Sequence, residues 1–242
     1  MKIALLLSGH FRSYERTFNT LQKSILGPFN PDVFIFSWEN LGFDGIRGDN
    51  HMSKTSLDIQ KIDKLYNPKK ILIEQTKNWN TNKYLSRMGS GLRHPEILFG
   101  MFYGIYKSNQ LKMSFENENN FCYDIVIRAR PDIFFENGLN IQELKQCQEN
   151  PSIYFPKFGN YSGLNDQFCF GSSSEMDLYS ELYNNLDKYF DSGCLWHAET
   201  MVKYNVDNYK IPIERSNIKF KLSRANGSFF QSACETHLGD IK

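Results

Sequence analysis

Apolar and polar positions along this chain switch between two periods, and the switching predicts strands and helices in turn. Residues 3–7 (Ile-Ala-Leu-Leu-Leu) form an unbroken apolar run that stops at Ser8-Gly9, as expected of a parallel strand buried on both faces. Residues 13–25 carry Phe18, Leu21 and Ile25 at spacings of three and four, which predicts an amphipathic helix. Residues 32–38 (Asp-Val-Phe-Ile-Phe-Ser-Trp) predict a second strand, 57–65 a short helix and 71–74 a third strand. Pro95 suits a first helical turn and opens a long helix to about Phe115. The run at 124–135 (Asp-Ile-Val-Ile-Arg-Ala-Arg-Pro-Asp-Ile-Phe-Phe) is the strongest strand signal. Short strands are expected at 152–156, 167–171 and 218–222, with helices near 175–190 and 196–204. Residues 40–54 and 77–93 read as loops, the first rich in Gly, Asp and Asn. Strands alternating with helices, with no repeat and no low-complexity linker, predict one α/β domain over 1–242 with a mostly parallel central sheet flanked by helices.

Composition narrows the class. At 242 residues the chain can bury a sizeable core without disulfide staples. Lys and Arg total 28 against 27 for Asp and Glu, a net charge of +1 that gives no electrostatic case for a nucleic-acid partner. The five cysteines, Cys122, Cys147, Cys169, Cys194 and Cys234, lack CxxC spacing, which argues against a disulfide framework and a thiolate zinc site and fits a reducing compartment. The apolar run at the N-terminus is too short for a signal-peptide core, and the stretch 97–106 falls short of the ~20 residues of a membrane span. The expectation is a cytoplasmic protein without a transmembrane segment, with peripheral membrane contact left open. Aromatic residues reach 15%, enough for a Phe-rich core and for stacking surfaces that suit sugars or bases.

Three segments carry candidate chemistry. Leu7-Ser8-Gly9-His10-Phe11-Arg12-Ser13 is a strand end, a glycine turn and a helix start. In α/β sheets ligands bind at such carboxyl ends, where glycine lets backbone N–H groups approach a phosphate and Arg12 supplies charge. There is neither a GxGxxG nor a Walker loop. In Arg128-Ala129-Arg130-Pro131-Asp132, period two puts Arg128, Arg130 and Asp132 on one face, as a buried ion network or as an anion site with a metal-binding carboxylate. Pro131 interrupts the ladder there. The third segment, 163–171, puts Asp166 at the entrance of a short strand, as a general base, a sugar-hydroxyl acceptor or a turn cap. His197 and Glu199 are two apart, so on a helix they would not share a face. No metal pair is expected there, and a solvated helix start is the simpler reading.

Leu-Ser-Gly-His-Phe-Arg-Ser at 7–13, Asp-Val-Phe-Ile-Phe-Ser-Trp at 32–38, Tyr-Asp-Ile-Val-Ile-Arg-Ala-Arg-Pro-Asp-Ile-Phe-Phe at 123–135 and Asn-Asp-Gln-Phe-Cys-Phe-Gly at 165–171 together resemble the small GT-A-like glycosyltransferases of bacterial capsule and lipopolysaccharide clusters and of some giant viruses. The resemblance covers residues 1–205 and implies a single GT-A-like, Rossmann-like domain. It implies a nucleotide-sugar donor held by Ser8, Gly9, Arg12, Arg128, Arg130 and Asp132, and a glycan hydroxyl as acceptor. Arg-Ala-Arg-Pro-Asp would take the place of the family's Asp-x-Asp motif, with Asp132 as ligand to Mg²⁺ or Mn²⁺. This sequence departs from that motif in keeping one carboxylate, and its two arginines can neutralise a diphosphate instead. Arg130 is then the expected leaving-group stabiliser and Asp166 the expected base. A sugar nucleotidyltransferase and a non-catalytic glycan-binding module are the alternatives.

Overall fold

Strands that are apolar on both faces must be covered on both sides, and the chain supplies a helical layer for each. The computed structural model describes residues 1–42, 55–88 and 94–230. These form strands β1 (Ile3–Ser8), β2 (Asp32–Trp38), β3 (Lys70–Glu74), β4 (Ile125–Ala129), β5 (Ile133–Phe135), β6 (Ile153–Pro156), β7 (Phe168–Ser172), β8 (Ile213–Ser216), β9 (Phe220–Ser223) and β10 (Phe229–Phe230). The main sheet has seven strands in the order β3-β2-β1-β4-β7-β6-β8, and only β7 runs against the others. A second sheet of three strands runs β10-β9-β5.

The helices are α1 (Tyr14–Leu21), α2 (Gly27–Phe29), α3 (Ile59–Tyr66), α4 (Glu96–Asn119), α5 (Ile141–Glu149), α6 (Ser173–Ser180), α7 (Leu186–Asp191) and α8 (Ala198–Tyr209). Alternation sorts the core. Leu5, Leu7, Ile35, Ile127 and Phe168 pack with residues of α1, α3 and α5 on one face. Ala4, Leu6, Phe34, Val126 and Cys169 pack with residues of α4, α6, α7 and α8 on the other. The described residues thus form a mostly parallel α/β sheet flanked by helices, and none of their helices is long and apolar enough to cross a membrane.

The predicted run at 124–135 splits into β4 and β5, which belong to different sheets. Pro131 has no N–H to donate, and the chain turns at Arg130-Pro131-Asp132 so that β5 pairs with β9. The helix expected near 175–190 is α6, a 3₁₀ segment Glu181–Asn185 and α7. The helix expected over 13–25 runs as α1, a π-type segment Gln22–Leu26 and α2, ending at left-handed Asn30. Part of the loop at 77–93 is a 3₁₀ segment, Asn82–Arg87. Residues 43–54 and 89–93, expected as loop, lie outside the described residues, as does Cys234. Cys122, Cys147, Cys169 and Cys194 are free thiols.

One ionised side chain is enclosed in the second helical layer. Lys112 of α4 is wholly buried and reaches Asp177 of α6 at 2.8 Å, Ser173 at 2.7 Å and Glu116 at 3.2 Å. Glu116 in turn accepts from the Tyr123 backbone N–H, just before β4, at 2.8 Å. Lys112→Ala leaves a buried carboxylate without its cation and is expected to cost about 3–5 kcal/mol in chemical denaturation. Lys112→Met keeps the aliphatic volume, so its smaller loss isolates the packing part.

Candidate functional site at the sheet switch point

From β1 the chain builds outward to β2 and β3, and then α4 returns it to β4 on the other side of β1. The strand order therefore reverses between β1 and β4. In an open α/β sheet the crevice for a ligand forms outside the carboxyl ends of the strands at such a point. Here those ends are Ser8-Gly9 and Arg130-Pro131-Asp132. Gly9 has φ +121°, which only glycine adopts without strain, and a Cβ there would stand 3.9 Å from the Pro131 ring. The two strand ends are thus in contact.

Asp132 is the centre of the arrangement. It is 1% exposed. Arg130 donates from Nε and Nη2 to Oδ1 and Oδ2 at 2.8 Å each, a bidentate fork. The Arg12 guanidinium meets Oδ2 from the other side at 3.2 Å. Burial alone would raise the Asp132 carboxyl, but the charges of Arg130, Arg12 and Arg224 outweigh it and hold the group down at about 2. Three guanidiniums therefore act on one carboxylate. Beside Arg12 lies a cavity of about 220 Å³ lined by Arg12, Ser13, Tyr14, Glu15, Arg16 and Leu41.

Neighbouring elements are tied to this turn through backbone groups. Thr17 of α1 donates to the Pro131 carbonyl at 2.7 Å, and the Ser223 N–H of β9 donates to the Asp132 carbonyl at 2.8 Å. Ser13 donates to the Ser223 carbonyl, and Arg16 donates to the carbonyls of Arg224 and Ala225. The turn between β9 and β10 is thereby fastened over the start of α1, which brings Arg224 within electrostatic range of Asp132. Sequence reasoning missed Arg16 and Arg224. Arg16, in the first turn of α1, offered no signal beyond a charge beside Arg12. Arg224 offered none, being far away in sequence.

The structure separates Arg128 from this group. Among the described residues no ion pair joins it to Asp132, because the strand alternation ends at Ala129 and Asp132 lies in the turn beyond. Arg128 is 1% exposed on the α4 side, where Nη1 donates to the Asp166 carbonyl while Nε and Nη2 have no hydrogen-bond partner. Ser8 also faces α4, close to Gly104, with its buried hydroxyl unpartnered.

Asp166 ends a tightly folded loop. Asn165 Oδ1 accepts from the N–H groups of Gln167 and Phe168, and Asn160 Oδ1 accepts from that of Asn165. Gly163 lies so close to α8 that a Cβ would stand 2.0 Å from the Glu199 carbonyl oxygen. The Asp166 carboxylate is buried near Arg130, whose cation it favours. The loop brings Asp166 to the same strand ends as the arginine cluster.

The expectation for His197 and Glu199 is corrected. Glu199 is 7% exposed rather than solvated, and its Oε2 lies 3.3 Å from His197 Nδ1. His197 is the cap residue before α8, with extended backbone, so helical spacing does not govern the pair.

The donor set does not fit a divalent ion at Asp132. Both carboxylate oxygens are already engaged by guanidiniums, and a cation there would face their charge directly.

Two groups of the site set its response to acid. Burial first, and the Arg12 cation second, push the His10 ring down to about 4 from 6.5. Folding thus favours the neutral ring, and the stability this gives is present above about 6.5 and lost as pH falls toward 4. The depressed Asp132 contributes about 2 kcal/mol that is present above about 4 and lost between about 4 and 2. Urea unfolding is expected to weaken in two successive steps on acidification, with His10→Asn removing the upper one. A decline confined to the lower window would show that His10 is not held neutral.

Comparison with known proteins adds the family. No curated protein matches the chain. Residues 1–222 match the family model described as a domain of unknown function, DUF7796, so by far the greater part of the chain is covered and it belongs to that family.

Proposed function

We propose that this protein is a glycosyltransferase that moves a sugar from a nucleotide-sugar donor to a glycan hydroxyl, in the synthesis of a surface polysaccharide or a glycoprotein glycan. The observation that carries the reading is the cationic cluster of Arg12, Arg130 and Arg224 around Asp132 at the carboxyl ends of β1 and β4. Sugar transfer from a nucleotide releases a phosphate-bearing leaving group. Preorganised cations aimed at that charge lower the barrier most. The guanidinium fork matches phosphate oxygens bidentately.

Within this reading Arg130 and Arg12 face the leaving phosphates, and Ser8 and Gly9 border the donor. Arg128 holds the Asp166 carbonyl and so positions the loop. Asp166 takes the proton from the acceptor hydroxyl. Its carboxylate emerges from a loop that is hydrogen-bonded along its length and packed on α8, the rigidity a general base requires. The cavity of about 220 Å³ is smaller than the ~300–1,000 Å³ of sites that enclose a drug-sized ligand, so it suits one part of a donor.

Incubation of the full chain with UDP-, GDP-, dTDP- and CMP-sugars tests the proposal. Release of free nucleotide with transfer or hydrolysis of the sugar is the expected result. Pyrophosphate release from a nucleoside triphosphate and a sugar phosphate would mean nucleotidyl transfer instead, and no turnover with retained glycan binding would mean a binding module. Asp166→Asn is expected to lower kcat about 10²- to 10⁴-fold with nucleotide affinity unchanged. Equal loss of affinity would make Asp166 a binding residue.

A further inference from the structure

We infer that the site binds the diphosphate of its donor on arginine side chains without a bridging divalent ion, and that Asp132 is the positioning residue that orients Arg130 and Arg12 for this. The inference rests on the glycosyltransferase reading and specifies how its leaving group is held.

A cation shared between protein and diphosphate needs at least one carboxylate oxygen free to face it. Oδ1 takes Arg130 Nε at 2.8 Å, and Oδ2 takes both Arg130 Nη2 at 2.8 Å and Arg12 Nε at 3.2 Å. The carboxylate is 1% exposed, so no oxygen is presented to the crevice. The arginine side chains are not enclosed to the same degree. The side chains of Arg130 and Arg12 are 20% and 17% exposed, against 1% for the carboxylate between them. The part of the cluster open to a ligand is thus arginine side chain and not carboxylate.

Charge points the same way. Arg130, Arg12 and Arg224 all act on Asp132, and a divalent ion at its carboxylate would meet their charge as repulsion. A diphosphate would meet it as attraction. Asp166, the other carboxylate at these strand ends, already stands beside the Arg130 cation. Among the described residues no group of three His, Cys, Asp or Glu side chains comes together to hold a metal elsewhere. A buried carboxylate that holds Arg130 by two hydrogen bonds and Arg12 by an ion pair also restricts their rotamers before ligand arrives, which favours binding through preorganisation.

The test is calorimetric titration of the full chain with UDP, GDP, CDP and dTDP, each in EDTA and in Mg²⁺ or Mn²⁺. The expected result is that a nucleoside diphosphate which binds does so with the same affinity, within about twofold, in both buffers. Binding that appears only with metal, or strengthens more than tenfold with it, overturns the inference and leaves the donor-site reading standing. Binding of no nucleoside diphosphate in either buffer overturns both. Arg130→Lys keeps the charge and loses the fork, and is expected to weaken binding about tenfold in both buffers. Asp132→Asn is expected to weaken it similarly and without metal dependence, with Asp132→Glu restoring part of the loss. The melting temperature, read alongside, shows whether each variant is folded. If folded Asp132→Asn binds as tightly as the unaltered chain, Asp132 is structural only and the positioning role falls.

Discussion

The structure turns on a single buried carboxylate and the guanidiniums that keep it ionised. Asp132 lies where β4 of the main sheet hands the chain to β5 of the small one. Taking a carboxylate out of water is costly, and only multiple charge-assisted hydrogen bonds offset it. Arg130 provides two such bonds from the end of β4, and Arg12 adds an ion pair at 3.2 Å from the end of β1. Buried ion networks add little net stability over a well-packed apolar substitute, so their presence says more about specificity of arrangement than about strength. Here the arrangement joins β1, α1, β4 and the β9–β10 turn at one place, since each contributes either a charge or a backbone hydrogen bond to residues 130–132.

A second constraint shapes the other wall. The loop leading to Asp166 includes Tyr161 at φ +40° and Ser162 at φ +64°, conformations that residues with a Cβ adopt at some cost. Such strain persists only where the surroundings over-determine it. Asn160 and Asn165 close the loop from within, and Gly163 lets it press on the first turn of α8. The loop cannot relax outward without breaking these bonds, nor inward against the Glu199 backbone. Local chemistry therefore shapes the loop, and Arg128 of β4, which donates to the Asp166 carbonyl, and Arg215 of β8, which donates to Asn160 Oδ1, anchor it from outside.

The main sheet was legible in the sequence because burial on both faces leaves continuous apolar runs, as in β1, β2 and β4. Elements with thinner signals were not. α5 carries only Ile141, Leu144 and Cys147 among polar residues, and β8 is a four-residue strand at the end of the sheet with Glu214 and Arg215 in its middle. The apolar pattern across 124–135 is continuous, so it concealed a change of sheet that only Pro131 hinted at. At the site, Arg12, Arg130 and Asp132 came together as their positions at strand ends suggested, and Arg128 did not, because period two holds only while the strand lasts. His197 and Glu199 escaped for the complementary reason: helical spacing was applied to a residue that precedes the helix.

The division of labour among the arginines follows from their depth. Arg128 lies within β4, opposite Cys169 of β7, and is sealed under α4 and α6 where no ligand phosphate reaches. Among the described residues its guanidinium donates to a main-chain carbonyl, a neutral acceptor, and makes no ion pair. Arg130, two residues on, stands at the boundary with Nε and Nη2 committed to Asp132 and its side chain partly exposed. Arg12 closes the opposite side from the β1 turn. Depth thus separates a buried arginine that ties the Asp166 loop to β4 from two arginines at the boundary of the switch point between β1 and β4, and only the latter pair keeps side chain open to the crevice.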